Sequence, residues 1–163
     1  MKEQFAKPCV GAIIEKSIGG IPHILLQTRQ KPDGDETNGK LEIPAGKFRE
    51  YEGIFDALRR EVREETGLMV TKINGEEAVV PVHSCGAETI AVEPFCVAQN
   101  QSGAYSILLL TFVCQAEGEL LDRTEETEGI RWVPVSVVER MVREEPERFF
   151  FMHLQGLRKY LGI

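Results

Sequence analysis

The sequence predicts an α+β or mixed α/β sandwich, in which strands surround one central helix and further helices follow near the C-terminus. Three observations predict it: short apolar runs bounded by glycine and proline, a helical apolar period from Ile54 to Thr66 that ends at Gly67, and further helical segments at residues 135–144 and 149–160. Helices and strands mixed in this way pack as layers around one core. The length of 163 residues suits one domain, expected over residues 1–163.

The strands are predicted from the apolar runs and from the turns between them. Residues 10–14 and 21–28 are expected to form a hairpin that turns at residues 17–20, and residues 89–99 are expected to pair with residues 105–115. Shorter strands are predicted at residues 41–44, 68–73, 77–82 and 130–133. The segment 31–40 is rich in glycine, proline, aspartate and asparagine, and therefore predicts an exposed loop.

Composition limits the partners and the compartment. The net charge of −7 argues against binding to a nucleic acid polymer, which requires a basic surface. No apolar run approaches the ~20 residues that span a bilayer, so no membrane contact is expected. Residues 1–7 lack the apolar stretch of a signal peptide. We therefore expect a cytoplasmic protein whose four scattered cysteines are reduced.

The helix predicted from Ile54 to Thr66 carries acidic residues where apolar ones belong. On a helical wheel, Glu61 and Glu65 lie within or beside the apolar stripe that contains Ile54 and Leu58. Carboxylates there lose hydration, repel one another at helical spacing, and lie close to the negative end of the helix dipole. A divalent cation removes all three penalties, because clustered hard oxygen ligands suit Mg²⁺ or Mn²⁺. The alternative, a solvated acidic face, would place these glutamates opposite the stripe.

The residues around this helix resemble the Nudix box, G-x5-E-x7-R-E-U-x-E-E-x-G-U, in which U is aliphatic. Gly46, Glu52 and the run from Arg60 to Leu68 occupy every fixed position at the required spacing. Residues 25–29, 41–46 and 130–134 are similar to the family more loosely. The resemblance implies a Nudix-type fold, a mixed β-sheet sandwiched between helices, and a Mg²⁺-dependent hydrolase that splits diphosphate bonds.

The resemblance also implies roles for individual residues. The implied metal ligands are Glu61, Glu64, Glu65 and the carbonyl oxygen of Ala45. Arg60 would orient a catalytic carboxylate, and Glu52 would hold the loop of the box. Gly46 and Gly67 would give the backbone its freedom at the two bends of the motif.

Hydrolysis also requires a base that takes a proton from water. Glu61 or Glu64 is the first candidate for this base. Family members sometimes supply it from a distant loop, for which Glu126 and Glu128 are candidates, as they are for a further metal ligand; a solvated acidic turn is the alternative there. Arg29 follows the second strand, where family members often place a phosphate-binding arginine, and a surface arginine is the alternative.

The substrate class is suggested by the segment from Pro44 to Lys47, which resembles the branch of the family that acts on ADP-ribose or nucleoside diphosphate sugars. Nucleoside triphosphates and dinucleoside polyphosphates are alternative substrates, since the box does not discriminate among them. Two other classes remain open: a non-catalytic Nudix-fold module that binds a nucleotide, and a prenyl diphosphate isomerase of the same fold. The expected partner is a small-molecule nucleotide, and the resemblance also allows a homodimer.

Overall fold

The computed structural model describes residues 3–32 and 34–163. Its strands are β1 (Lys7–Ile18), β2 (Ile21–Arg29), β3 (Leu41–Glu42), β4 (Ala45–Lys47), β5 (Met69–Ile73), β6 (Val82–Ser84), β7 (Ala87–Thr89), β8 (Cys96–Gln99), β9 (Ile107–Glu117) and β10 (Thr127–Pro134). Its α-helices are α1 (Ile54–Thr66), α2 (Val135–Glu144) and α3 (Phe151–Leu161), and short 3-10 turns occur at Glu76–Ala78 and Pro146–Arg148. None of the helices in the described part of the chain is long and apolar enough to cross a membrane.

One mixed sheet contains most of the strands, in the order β10-β2-β1-β9-β5. Strand β1 runs antiparallel to β2 and parallel to β9. The short strands β3, β4 and β8 pair with β2, β1 and β9, respectively. Strands β6 and β7 form a separate hairpin. The combination of parallel and antiparallel pairing confirms the mixed sheet of the predicted fold class.

Helices cover both faces of this sheet. On one face, Phe55 and Leu58 of α1 pack against Phe112 of β9 in one apolar cluster. On the other face, Val138 of α2 and Leu157 of α3 belong to a second cluster with strand residues. Each large apolar side chain buried in this way stabilises the fold by about 1.5–3 kcal/mol relative to an exposed one. The first of these clusters fixes α1 against the sheet, so the polar residues of α1 have defined positions.

Helix α1 has the bounds that the sequence predicts. Gly67 ends it with a φ of 81°, and the Gly67 N–H donates to the carbonyl oxygen of Arg63 at 3.0 Å. A side chain at Gly67 would lie 2.9 Å from both the Glu119 carbonyl oxygen and the Leu121 side chain. Both the left-handed conformation and the lack of space therefore require glycine here, and they fix the direction in which the chain leaves the helix.

The hairpin formed by β1 and β2 turns where the sequence predicts. Gly19 and Gly20 have φ values of 59° and 80°, which suit the type I′ turn that connects twisted antiparallel strands. Strand β2 then runs between β10 and β1 and brings Gln27 and Arg29 near the C-terminal end of α1. The hairpin thus supplies polar residues to the site.

Three predicted strands are wrong in extent. The strand predicted at residues 77–82 is replaced by a 3-10 turn at Glu76–Ala78, and a strand begins only at Val82. Gly75 turns the chain before this segment with a φ of 89°. In the segment 89–99, only Cys96–Gln99 pairs with β9, since Pro94 has no N–H for a sheet hydrogen bond. Similarly, Pro44 ends the predicted strand 41–44, of which Leu41–Glu42 remains.

Candidate active site

An open cavity of about 1070 Å³ lies at the end of α1, against the edges of β1, β2 and β4. It has two chemically different parts. The acidic part contains four carboxylates, those of Glu42, Glu61, Glu64 and Glu65. The apolar part contains side chains that belong to one apolar cluster, among them Tyr105, Leu109, Phe150 and Met152. The cavity therefore joins a group of anionic oxygens to a surface on which a flat ring can pack.

Glu65 is the most enclosed carboxylate of α1. The residue is 6% exposed, and its Oε2 accepts hydrogen bonds from Gln27 Nε2 at 2.8 Å and from the backbone N–H of Ala45 at 3.0 Å. Burial, reinforced by the negative charge of Glu42, raises the pKa of Glu65 to about 8. Without a cation beside it, this carboxyl group therefore keeps its proton at neutral pH.

Glu42 and Gln27 complete a buried group that has more acceptors than donors. Gln27 Nε2 contacts Glu42 Oε1 at 3.4 Å in addition to its bond to Glu65, and burial also raises the pKa of Glu42. Gln27 Oε1 is buried and has no hydrogen-bond partner among the described residues. In this orientation the Nε2 donor, rather than Oε1, faces the oxygens of both carboxyl groups. A cation would relieve this excess of acceptors.

Arg60 organises the carboxyl groups at the more exposed side of the cavity. Its guanidinium donates to both oxygens of Glu52, at 2.6 and 2.8 Å, and to Glu61 at 2.7 Å. It also contacts Glu64 at 3.3 Å and the carbonyl oxygen of Lys47 at 3.0 Å. The hydrogen bonds from Arg60 hold the pKa of Glu52 at about 2, and they raise the pKa of Arg60. Arg60 and Glu52 thereby connect the loop after β4 to α1.

The backbone of β4 lies directly against the carboxylates of α1. A Cβ atom at Gly46 would overlap the carboxylate of Glu61, so only glycine leaves room for that side chain. Gly46 pairs with Val10 of β1, which fixes its position in the sheet. The neighbouring Ala45 lines the cavity, and its N–H is the one that Glu65 accepts. The cavity thus contains all four residues for which the resemblance implies metal binding: Ala45, Glu61, Glu64 and Glu65.

The acidic part of the cavity suits a hard divalent cation, because the donors that the box supplies there are carboxylate oxygens. As the side chains stand, no group of three or more His, Cys, Asp or Glu side chains within residues 3–32 and 34–163 is arranged to hold a metal ion. The reason is that Glu61 and Glu64 turn towards Arg60, whereas Glu65 turns towards Gln27 and Ala45. Rotation of Glu61 and Glu64 is the adjustment that such a cation would require.

Arg29 lines the cavity, but protein groups engage its donors. Its Nε donates to Thr37 at 2.7 Å, and its two terminal nitrogens contact Glu42 at 3.4 Å and Asp35 at 3.3 Å. The guanidinium also lies over the ring of Phe150, 4.4 Å from the centroid. Arg29 therefore connects the loop after β2 and the aromatic side of the cavity to Glu42. A phosphate would have to displace one of these partners to reach it.

Glu126 and Glu128, both candidates for the base from the sequence, lie in different places. Glu126 lines the cavity and forms an ion pair with Lys31. Glu128 lies on β10 with an exposed side chain, and it is not among the described residues that line the cavity. Burial lowers the pKa of Lys31, whose ammonium group interacts with Glu65 and Glu126.

Several residues of the cavity lie outside the Nudix box and were not predicted as site residues. Gln27 and Glu42 could have been found, because each is a polar residue within an otherwise apolar strand, a placement that is costly unless the side chain has a partner. Lys31 and His153 give no such local signal, since a loop lysine and a helix histidine are common on protein surfaces.

We predict that Glu65→Gln stabilises the metal-free protein at alkaline pH. The folded-state pKa of Glu65 is raised from 4.5 to about 8, so the stability linked to its proton is present below pH 4.5 and is lost as the pH rises through 8. Glutamine accepts the same two hydrogen bonds without a charge. In EDTA at about pH 8.5, the free energy of unfolding of Glu65→Gln should exceed that of the wild type by at least ~1 kcal/mol, which corresponds to roughly 2–4 °C in Tm.

Glu64→Gln is the matched control for this measurement, because the Glu64 side chain is 54% exposed. It should leave the dependence of Tm on pH unchanged. Equal pH slopes for the wild type and for Glu65→Gln would contradict a buried, protonated Glu65.

Comparison with known proteins relates this chain to a family. The family model described as the NUDIX domain matches residues 6–152. The comparison with curated proteins gave no match. Among solved structures, the Nudix domain of Shewanella oneidensis NrtR, complexed with ADP ribose, is 17% identical with a TM-score of 0.68, and the match covers 98% of this chain and 88% of that one.

Two further structures are similar over nearly the whole chain. A MutT protein from Methanosarcina mazei Go1 is 18% identical with a TM-score of 0.59, covering 98% of this chain and 96% of that one. A C. elegans Ap4A hydrolase is 14% identical with a TM-score of 0.54, covering 96% of both chains. At these identities the structural likeness shows a shared fold. Because the family model extends over most of the chain and includes the whole box, the chain belongs to the Nudix hydrolase family.

Proposed function

We propose that this protein hydrolyses the diphosphate linkage of a nucleoside diphosphate derivative, ADP-ribose or a nucleoside diphosphate sugar, with Mg²⁺ as cofactor and Mn²⁺ as a substitute. The observation that carries the proposal is the cavity, in which the carboxylates of the box adjoin an aromatic and apolar surface. Such a substrate has the same two parts, because a charged diphosphate is joined to a flat, uncharged base. The volume of the cavity, about 1070 Å³, is close to the upper end of the range for small-molecule sites, ~1,000 Å³.

The cation would be held by Glu61, Glu64, Glu65 and the carbonyl oxygen of Ala45. When bound, Mg²⁺ would neutralise the diphosphate oxygens and lower the pKa of an adjacent water. Glu65 has the least freedom among these ligands, since Gln27 and Ala45 already hold its carboxyl group. A protein of net charge −7 needs such neutralisation before a diphosphate can approach four carboxylates.

The remaining steps belong to the protein's own groups. Water attacks one phosphorus, the bond from that phosphorus to the bridging oxygen breaks, and a carboxylate takes a proton from the water. Glu126 is our candidate for this base, because it lines the cavity from a loop outside α1 and is not one of the proposed metal ligands of the box. Glu126 forms an ion pair with Lys31, and a substrate phosphate would draw the ammonium group of Lys31 away from it. Glu61 and Glu64 are the alternatives within the box.

The choice of substrate class has two supports. The segment from Pro44 to Lys47 resembles the branch that acts on ADP-ribose, and the Nudix domain of NrtR is complexed with ADP ribose. Nucleoside triphosphates and dinucleoside polyphosphates are the second candidates, because a MutT protein and an Ap4A hydrolase share the fold. All are small nucleotides, for which we expect a cytoplasmic location.

A substrate panel with Mg²⁺ tests the function: ADP-ribose, UDP- and GDP-sugars, diadenosine polyphosphates and nucleoside triphosphates, with the products separated by chromatography. We expect ADP-ribose or a nucleoside diphosphate sugar to give a nucleoside monophosphate and a sugar phosphate. Glu64→Gln should lower kcat at least ~100-fold, since changes even beside metal ligands cost up to that much. Asp56→Asn is the matched control, because Asp56 is an exposed acid in the first turn of the same helix.

Three results of this panel would contradict the proposal in different ways. Normal turnover by Glu64→Gln would place the site elsewhere. A preference for triphosphates or dinucleoside polyphosphates would overturn the substrate class while leaving the reaction in place. Silence of the wild type with both Mg²⁺ and Mn²⁺ would favour a nucleotide-binding module or an isomerase.

A second pair of variants tests the assignment of Glu126 as the general base. Glu126→Gln should lower kcat by about 100-fold or more, as the loss of a general base does, with little change in KM. Glu128→Gln should keep the wild-type rate, because Glu128 lies outside the cavity only two positions along the chain. Equal rates for the two variants would return the role of base to Glu61 or Glu64.

A further inference from the structure

His153 is a buried polar side chain in the cavity wall that neither the Nudix box nor the proposed reaction uses. It lies near the start of α3, is 3% exposed, and lines the cavity together with Phe150 and Met152. Its ring packs edge-on against Phe150, with ring centroids 5.4 Å apart and an interplanar angle of 83°. The residue therefore belongs to the aromatic and apolar part of the cavity.

One hydrogen bond fixes the tautomer of this histidine. The backbone N–H of Ile43 donates to Nδ1 of His153 at 3.1 Å, and a ring nitrogen that accepts a hydrogen bond carries no proton. Burial lowers the pKa of His153 to about 3, so the ring is neutral at physiological pH. The single ring proton is therefore on Nε2, which makes this atom a donor.

The Nε2–H group of His153 has no acceptor among the residues that the structure describes. Within residues 3–32 and 34–163, the bond from Ile43 to Nδ1 is the only hydrogen bond of the His153 side chain. Among the described residues, Gln27 Oε1 is the buried side-chain polar atom that lacks a partner, whereas the Nε2–H of His153 is a neutral donor in the wall of an open cavity. Because His153 lines the cavity, a ligand in the cavity can supply the missing acceptor.

The surroundings of His153 suit a neutral heterocycle better than a phosphate. Tyr105, Leu109, Phe150 and Met152 present aromatic, aliphatic and thioether groups. Arg29, the nearby cation, has its donors engaged by protein oxygens. A neutral donor in such a setting matches a neutral acceptor on a flat ring, whereas a phosphate is better served by a cation at the acidic part.

We propose that His153 recognises the nucleobase of the substrate by donating its Nε2–H to a ring nitrogen or an exocyclic carbonyl oxygen, while the apolar side chains pack against the base. This inference rests on the proposed function, since it assigns the base of the nucleotide to the apolar part of the same cavity. A base that presents an amino group at this edge is disfavoured, because two donors would then face each other. His153 is thus a specificity-determining residue.

Two substitutions separate this role from a structural one. Asparagine can place an amide oxygen where Nδ1 accepts from Ile43, but it has no atom at the position of Nε2. Glutamine is longer and can place an amide donor near Nε2, but it leaves the Ile43 N–H without its acceptor. His153→Asn therefore measures the loss of the Nε2–H donor, and His153→Gln measures the loss of the hydrogen bond from Ile43.

The experiment measures binding of AMP, GMP, CMP, UMP and ribose 5-phosphate by calorimetry in Mg²⁺, since none of these has an anhydride to cleave. We expect the wild type to bind at least one nucleotide more tightly than ribose 5-phosphate. His153→Asn should weaken that nucleotide about tenfold, the effect of one lost hydrogen bond, and leave ribose 5-phosphate unchanged. His153→Gln should bind the nucleotide more tightly than His153→Asn and should have the lower Tm of the two.

A wild-type measurement covers the case in which a variant fails to fold. With ¹⁵N-labelled histidine, NMR should show the Nε2-protonated tautomer of His153 at neutral pH. Its Nε2 signal should shift on addition of the preferred nucleotide and stay in place with ribose 5-phosphate.

The inference is overturned if the wild type binds no nucleotide better than ribose 5-phosphate, if His153→Asn binds the nucleotide as the wild type does, or if both ligands weaken equally. These results are distinguishable from failure of the proposed function, because monophosphate binding requires no turnover. A protein that hydrolyses the panel but fails this test refutes the role of His153 alone. A protein that passes this test without hydrolysing any substrate refutes the proposed function alone.

Discussion

The burial of Glu65 is the constraint on which the rest of the site depends, because one residue connects α1 to three strands. Its carboxyl group accepts from Gln27 of β2 and from the Ala45 N–H of β4, and its backbone carbonyl oxygen accepts from Thr127 of β10 at 3.2 Å. An acid enclosed in this way, with Glu42 beside it, is costly to ionise. The proposed cation would bind beside this acid and would remove the cost of ionising it.

Two arginines organise the two sides of this buried acid. Arg60 binds Glu52 and Glu61, and so joins the loop after β4 to α1. Arg29 binds Glu42 and lies over Phe150, and so joins the acidic part of the cavity to the aromatic part. Because ion pairs rather than backbone bonds hold Glu61, that side chain can change partner while Glu65 stays in place. The aromatic part, which contains the proposed binding site for the nucleobase, would be unaffected by that change.

The parts of the structure that could be predicted are those governed by local periodicity and by the spacing of the box. The helical wheel places Glu65 beside the apolar stripe, and the structure buries it to 6% exposure, whereas Glu64, which the wheel places farther from the stripe, is exposed. Contacts between residues distant in the chain, such as Gln27 with Glu65 or His153 with Ile43, depend on strand register and helix docking, about which periodicity carries no information. The strand limits failed for a related reason, because an apolar run shows that a segment is buried or extended without showing where a proline such as Pro94 interrupts pairing.

We propose that the enclosed acids of this Nudix hydrolase form a cation site and that the proton of Glu65 is displaced when the cation binds. Calorimetric titration of the EDTA-treated protein with Mn²⁺ at about pH 7, in two buffers of different ionisation enthalpy, measures that displacement directly. We expect saturable binding with release of about one proton for the cation that contacts Glu65, since a carboxylate ligand must be deprotonated. Binding without proton release, or no binding at millimolar Mn²⁺, would contradict it.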